Sequence, residues 1–597
     1  MPSFQRAAPS VPRLIPLALS PMGLVARVAG GLRSGQGGLL VLALVVGAGA
    51  ALFAVLFRWL IRTFTLVLSG HADYAAVPGA AHPGLEGLGR WFVIGTPVVA
   101  GLLYGPLVHF FAREARGHGV PEVMYAVARR GGRIAPQVAA VKALASALCI
   151  GGGGSVGREG PIVQIGSALG STTGRIVGVA ESRLRVLVAC GAAGGIAATF
   201  NAPLAGVFFA MELILADFVA EAFGMVVIAS VTSAAIGRAI LGNSPFLQLP
   251  TFTLQHPAQY LLFAALGVVA GAVGVGFTKI LYAIEDLCDA VWRGPEWLRP
   301  AVGGLVLGAL LLVLPQMYGV GYPVLSNAVF GKYAAAFLLV LLVGKIVATS
   351  LTIGIGGSGG VFAPSLFIGA MLGAAFGALA NHAVPSVAGP AGAYALIGMG
   401  AVFAGAARAP ITAVVILFEL TGQYSIILPL MVAIVLATGV SHRLSADTIY
   451  SLKLRRRGVD LGTRETISAA LTTVGAAMRP LPDPIGAGQP LGEAALRLAH
   501  SAYGTLPVTD EGRYAGVITA RAIAEELARS GGDAPSTAAS LAVRPAPLAP
   551  ADHLDAAVRE LDASDLGALP VADPASGEVV GWFDYDAALH RLRAGAS

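Results

Sequence analysis

Charge is scarce in this sequence: of 597 residues, 39 are Lys or Arg and 33 are Asp or Glu, together 12%. A water-soluble chain of average usage carries roughly 25%, so an ordinary soluble enzyme is excluded. Cysteine is scarcer still, with Cys149, Cys190 and Cys288 as the three copies. All fall in or beside apolar segments, in odd number and without metal-ligand spacing. That excludes a disulfide framework and a thiolate metal site, and leaves inert packing residues. The amino end carries Arg6, Arg13, Arg27 and Arg33 but no short apolar core with a small-residue cleavage site, so no removed signal peptide is expected.

What is present is apolar: 56% of residues are hydrophobic and mean hydropathy is +0.75. Residues 1–464 hold 30 Lys/Arg and 16 Asp/Glu, whereas residues 465–597 hold 9 and 17, so the two parts suit different solvents. No charged residue occurs from Ile346 to Ala407, and uncharged runs also occupy Leu39 to Phe57, Tyr260 to Phe277 and Ala301 to Val320. Each approaches or exceeds the roughly 20 residues that cross a hydrocarbon core as helix. The first part is read as a polytopic membrane domain and the acidic remainder as a soluble tail. Lys453, Arg455, Arg456, Arg457 and Arg464 follow the last apolar run. By the positive-inside tendency both termini face the cytoplasm of a multi-pass cell-membrane protein. Because the basic excess sits at membrane borders, no nucleic-acid partner is needed to explain it.

A duplication runs through the membrane part. Gly154-Ser155-Val156-Gly157-Arg158-Glu159-Gly160-Pro161 fits G-S-x-G-x-x-x-P, and the pattern returns 203 positions later at Gly357-Ser358-Gly359-Gly360-Val361-Phe362-Ala363-Pro364. A second pair lies 207 positions apart: Ala202-Pro203-Leu204 with Glu212, and Ala409-Pro410-Ile411 with Glu419. Two similar halves follow, near 35–245 and 255–450, and Gly/Pro-interrupted apolar segments in corresponding places mark a binding site at their interface. An unpaired backbone group in hydrocarbon costs several kcal/mol, so such a break survives only inside protein or along a watery path. A proline and a fresh apolar run after each break read as a helix starting within the protein. Helix starts present free N–H groups and about half a positive charge, so two converging starts make an anion site. Its attraction comes from dipoles rather than from a buried Lys or Arg, which lets an anion leave again.

Enzyme readings of the same letters fit less well. Gly153 to Gly157 is formally G-x-S-x-G, but a nucleophile elbow needs a preceding strand, and Ala139 to Ile150 reads as helix. Gly152 to Arg158 lacks the Lys-Ser/Thr of a phosphate loop. An intramembrane serine hydrolase built on Ser155 or Ser358 leaves the duplication unexplained.

Four motifs in order, Gly117-His118-Gly119-Val120-Pro121, Gly157-Arg158-Glu159-Gly160-Pro161, Gly360-Val361-Phe362-Ala363-Pro364 and the late Tyr450, resemble those of the CLC chloride channels and chloride/proton antiporters. The resemblance spans about 35–455. It implies an all-α membrane domain of about eighteen helices in two inverted repeats with broken helices, assembled as a homodimer with a separate pore in each subunit. It also implies chloride or a similar small anion as the transported species. Carried over by position, the amides of Val361 and Phe362 and the Tyr450 hydroxyl are central anion ligands. Arg158, Glu159, Gly160 and Gly360 complete the implied anion-binding set with His118, and Glu159 is the gating and proton-handling glutamate. A carboxylate at an anion-attracting helix start competes with chloride for the same dipoles.

Two departures bear on mechanism. His118 stands where the family usually has an anion-coordinating Ser. Either its imidazole donates to the anion, or a backbone N–H does so while the ring points elsewhere. Leu213 stands where family antiporters carry an internal proton glutamate. Glu212 is one residue, or about 100° of helix, away, and its mate Glu419 suggests a shared structural task. On this ground a gated passive channel is expected, with proton-coupled antiport as the alternative.

In the tail, Leu506-Pro507-Val508-Thr509-Asp510 recurs as Leu569-Pro570-Val571-Ala572-Asp573. Each unit reads helix, strand, turn, strand, helix, and the pair resembles tandem CBS domains, a small α/β module. The expected division is a cytoplasmic segment 1–34, a transmembrane domain 35–455, a linker 456–469, and CBS units 470–530 and 535–597. Some such pairs bind adenine nucleotides through an Asp after the second strand. Here Ala522 and Ala587 hold that place and Asp586 is one residue early, so adenine-nucleotide binding at the pair is an unsupported alternative to a structural, dimer-stabilising role, and no metal or other cofactor is expected.

Overall fold

The computed structural model describes residues 36–243, 252, 256–459, 473–501, 504–511, 513–530, 537–564, 566–574, 576 and 578–588. The expected segment 1–34, Arg464 and most of the 456–469 linker lie outside the described residues. The chain divides into two compact units, Met1–Asp460 and Leu461–Ser597.

Eighteen α-helices form the first unit among the described residues. The first half comprises α1 (Gln36–Ser69), α2 (Phe92–Phe111), α3 (Val120–Arg129), α4 (Gln137–Gly151), α5 (Glu159–Val177), α6 (Glu181–Phe200), α7 (Pro203–Phe209) and α8 (Ala220–Leu241). The second comprises α9 (Gln259–Val291), α10 (Arg299–Val313), α11 (Tyr322–Val329), α12 (Ala335–Gly354), α13 (Phe362–Ala383), α14 (Pro385–Ala388), α15 (Ala391–Ala407), α16 (Pro410–Thr421), α17 (Ile427–Leu444) and α18 (Ser451–Arg456). In order, α1–α8 match α9–α13 and α15–α17, so the duplication covers every helix except α14 and α18. Among the described residues, 8 helical stretches are long and apolar enough to cross a membrane. The shorter ones, α4, α7, α10, α15 and α16, are the broken pieces that glycine and proline interrupt.

The halves meet about a local two-fold axis. Gly157 and Gly360, equivalent in the duplication, exchange both backbone bonds: Gly157 N–H donates to Gly360 O at 2.7 Å and Gly360 N–H to Gly157 O at 2.6 Å. Reciprocal bonding between equivalent residues requires such an axis between them, and it brings the starts of α5 and α13 together from opposite sides, an inverted repeat. Small residues allow equally close packing within each half. A Cβ on Gly166 would stand 2.1 Å from Gly191 O on α6, and one on Gly369 2.3 Å from Gly398 O on α15. Those contacts bury α6 and α13 on nearly all sides, and backbone proximity of this kind drives helix association where lipid offers no hydrophobic gain.

The second unit contains two strand pairs. β2 (Thr505–Asp510) runs antiparallel to β3 (Arg513–Thr519), with β1 (Ile485–Gly486) parallel to β2, and β4 (Ala568–Ala572) runs antiparallel to β5 (Val579–Asp584). Registers correspond: Leu506 faces Ile518 as Leu569 faces Phe583, and both ladders slip at the fourth residue of the repeated motif. The two cores exchange short segments. Ala538 packs with Ile485 and Val508 of the first, while Val474 packs with Leu554 and Val571 of the second. Asp586 is exposed and lies 3.6 Å from the Arg479 guanidinium.

Candidate functional site

The site forms where the breaks before α5 and α13 meet. Each helix opens with proline as its third residue, Pro161 and Pro364, and first-turn amides have no intrahelical partner. Val361 caps α13 and Phe362 starts it. Phe362 is wedged against Phe403 and Phe200, with ring centroids 4.6 and 5.8 Å apart. Only glycine fits where the halves cross: a Cβ on Gly160 would stand 2.1 Å from His118 O and 3.0 Å from Gly360 Cα.

Glu159, 1% exposed, is the first residue of α5. A methyl on Gly157 would stand 2.2 Å from Glu159 Oε2 and 3.2 Å from the Ala363 amide nitrogen. Glu159 Oε2 therefore lies near the first turn of α13, where amide dipoles attract negative charge, but it has no hydrogen-bond partner among the described residues. The other carboxylate oxygen accepts from the Tyr322 hydroxyl at 2.5 Å. Arg158 caps α5, and its guanidinium lies 5.3 Å from the Tyr322 ring centre. There it lines a cavity of about 390 Å³ together with Arg58, Arg62, Asp73 and Tyr322.

His118 is fully buried just before α3, and neither ring nitrogen has a hydrogen-bond partner among the described residues. Its ring centre lies 6.1 Å from that of Tyr282, whose hydroxyl donates to Ile449 O at 2.7 Å, next to buried Tyr450 at the start of α18. Ile449 N–H in turn donates to Ala406 O at 2.9 Å. The structure thus brings His118, Glu159, Gly160, Gly360, Val361, Phe362 and Tyr450 around one point. Glu212 and Glu419 sit elsewhere, at the α7–α16 crossing. Glu212 accepts from the Ile411 amide at 3.2 Å, the Thr412 amide at 2.8 Å and the Thr412 hydroxyl at 2.7 Å. Glu419 accepts from the Leu204 and Ala205 amides at 3.0 and 2.7 Å. Each carboxylate caps the other half's helix, a second reciprocal exchange about the same two-fold relation. Leu213, beside Glu212 in a π-helical turn spanning Ala210–Leu215, is buried.

Sequence reasoning missed a third repeated pair. Gly117-His118-Gly119-Val120-Pro121 matches Gly319-Val320-Gly321-Tyr322-Pro323, and all four glycines have positive φ, from 65° to 90°. A fully buried lysine clamps each loop. Lys142 Nζ donates to Ala115 O at 2.9 Å and Gly117 O at 2.7 Å. Its equivalent, Lys345, donates to Ser155 Oγ at 2.9 Å, Gly319 O at 3.1 Å and Val320 O at 3.0 Å. Buried cations therefore stand behind the loops, a correction to the attribution of all attraction to dipoles. Lone charges inside apolar helices were the signal for them. Ser155 with Lys345 has the composition of a serine–lysine pair, yet that ammonium spends three hydrogens on three acceptors and cannot act as a base. Ser358 Oγ donates to Ala115 O at 2.7 Å and lies 2.9 Å from Ser146 Oγ, and neither serine is exposed.

Two converging helix starts, a competing carboxylate and a two-fold duplication decide the family, and residues 100–442, more than half the chain, match the family described as voltage gated chloride channel. The chain belongs to the voltage-gated chloride channel (CLC) family. Residues 474–529 match the CBS domain, and the tail is a CBS pair. An H(+)/Cl(−) exchange transporter ClcA of Vibrio parahaemolyticus is 36% identical over 360 residues, 59% of this chain and 76% of that protein. A protein of Ralstonia nicotianae, provisionally named a ClcB-like chloride channel, is 32% identical over 429 residues, 71% of this chain and 98% of its own. The crystal structure of a slow cyanobacterial Cl−/H+ antiporter aligns with a TM-score of 0.62 and 27% identity over 70% of this chain and 97% of that one. This CLC protein is therefore a multi-pass membrane protein of a family of chloride transporters and channels.

Proposed function

We propose that this CLC protein exchanges chloride for protons across a cell membrane, as a homodimer with one pathway per subunit and both termini cytoplasmic. The observation that carries this reading is the position of Glu159. Its carboxylate lies where an anion would meet the α13 amides, so chloride and ionised carboxylate exclude one another. Protonation removes the charge that holds the carboxylate there, and chloride then takes the dipoles. Alternating occupancy links one proton-carrying group to one anion place. Val361 and Phe362 supply the amides, His118 and Tyr450 close the opposite side, and Glu212 and Glu419 hold the halves together without carrying protons. The names of the Vibrio and cyanobacterial relatives favour exchange. The second reading, a passive gated channel, rests on Leu213, which cannot carry a proton where antiporters have a glutamate.

Reconstituted vesicles separate the two. Under a chloride gradient the purified protein is expected to drive protons uphill in fixed ratio to chloride, and Glu212→Gln should leave that ratio unchanged, because the amide oxygen still caps α16. Chloride flux without proton movement would establish the channel instead.

A further inference from the structure

Tyr322 stands between the arginine-lined cavity and the gate. It lines the cavity with Arg58, Arg62 and Arg158, whereas Glu159 does not reach it. The Tyr322 hydroxyl donates to Glu159 Oε1 at 2.5 Å. The tyrosine is also held rigidly. It follows Gly321, whose φ of 90° no side chain adopts easily, and the carbonyls of Gly319 and Val320 are bonded to Lys345. Lys345 also holds Ser155 Oγ, and Thr349 Oγ1 donates to Ser155 O at 2.7 Å, so one lysine ties the loop carrying Tyr322 to the loop leading into Glu159.

We propose that Tyr322 is the latch of the gate: a positioning residue whose hydroxyl holds the Glu159 carboxylate over the α13 amides and sets the pH at which it lets go. This rests on the reading of Glu159 as the gate. A hydrogen bond to an ionised acceptor is about twice as strong as a neutral one. The latch therefore grips the carboxylate and loosens on the acid, and losing it raises the pH at which the gate opens. The other charged or titratable groups facing Glu159 are Arg158, Lys345 and Tyr450; phenylalanine keeps the ring on which Arg158 stacks but also removes the hydroxyl's bond to Arg158, while leaving Lys345 and Tyr450 as they are. In the duplication Tyr322 corresponds to Val120, so the two-fold site carries its latch on one side only.

The test is chloride flux from vesicles between pH 4.5 and 8 for the wild type, Tyr322→Phe, Glu159→Gln and the double variant. Tyr322→Phe is expected to shift the activation midpoint up by about one pH unit and to speed flux at neutral pH roughly tenfold, in line with one charge-assisted hydrogen bond. In the Glu159→Gln background the same change should do nothing further. An unshifted Tyr322→Phe profile, with Glu159→Gln still abolishing the pH response, would overturn the latch and leave the gate standing. A normal pH response in Glu159→Gln would remove the gate itself.

Discussion

Glu159→Gln is expected to give the largest functional change of any single substitution: faster chloride flux, a flat pH profile and no proton movement. Glutamine nearly matches glutamate in size but has no charge to hold it on the α13 amides, so it yields that place to chloride at every pH. The wild type must instead wait for a proton. Over the range where the carboxylate is mostly ionised, its acid form grows tenfold per pH unit lost, and flux should follow. Vesicle flux at pH 5 and pH 7 reads this directly. A variant that keeps the tenfold dependence would place the sensor elsewhere, and His118, buried with neither ring nitrogen bonded among the described residues, would be the next residue to change.

Gly160→Ala is expected to be the most damaging structural change. The added methyl would stand 2.1 Å from His118 O and 3.0 Å from Gly360 Cα, both backbone atoms that cannot rotate away. Overpacking of a fitted core costs about 1–3 kcal/mol, and here relief means separating α5 from α13, which opens the anion place. Thermal unfolding in detergent should fall by several degrees, and flux should be lost even in protein that remains folded. Gly224→Ala is the matching control, since a Cβ there meets nothing within 4 Å. Normal flux in Gly160→Ala would mean that the close crossing of the two helix starts is not needed.

Much of this was readable in the sequence because duplication doubles the signal. Gly157 and Gly360 had to correspond, and the structure joins them by two reciprocal bonds. The Glu212 and Glu419 pair was likewise visible by its spacing, though not that each caps the other's helix. That is a contact between segments about 200 residues apart. The G-x-G-x-P pair was harder to see, since only three positions match and the variable ones, His118 against Val320 and Val120 against Tyr322, carry the chemistry. Tyr322 therefore has no signal of its own in the sequence. Lys142 and Lys345 were legible as isolated charges in apolar helices, but their use as loop clamps depends on which carbonyls the fold turns inward. In the tail, neither α-helical Val474–Ala477 nor Ala538–Leu541 is long enough to show a period, so their exchange between the two cores had no sequence signal.

The most direct test of the account is a crystal structure of Glu159→Gln grown in bromide, whose anomalous scattering locates the ion without assumption. The account predicts a bromide within hydrogen-bond distance of the amides at the start of α13, where Glu159 Oε2 lies in the native chain. Bromide confined to Arg58, Arg62 and Arg158 in the cavity, with the α13 amides bare in protein that still moves chloride, would contradict it.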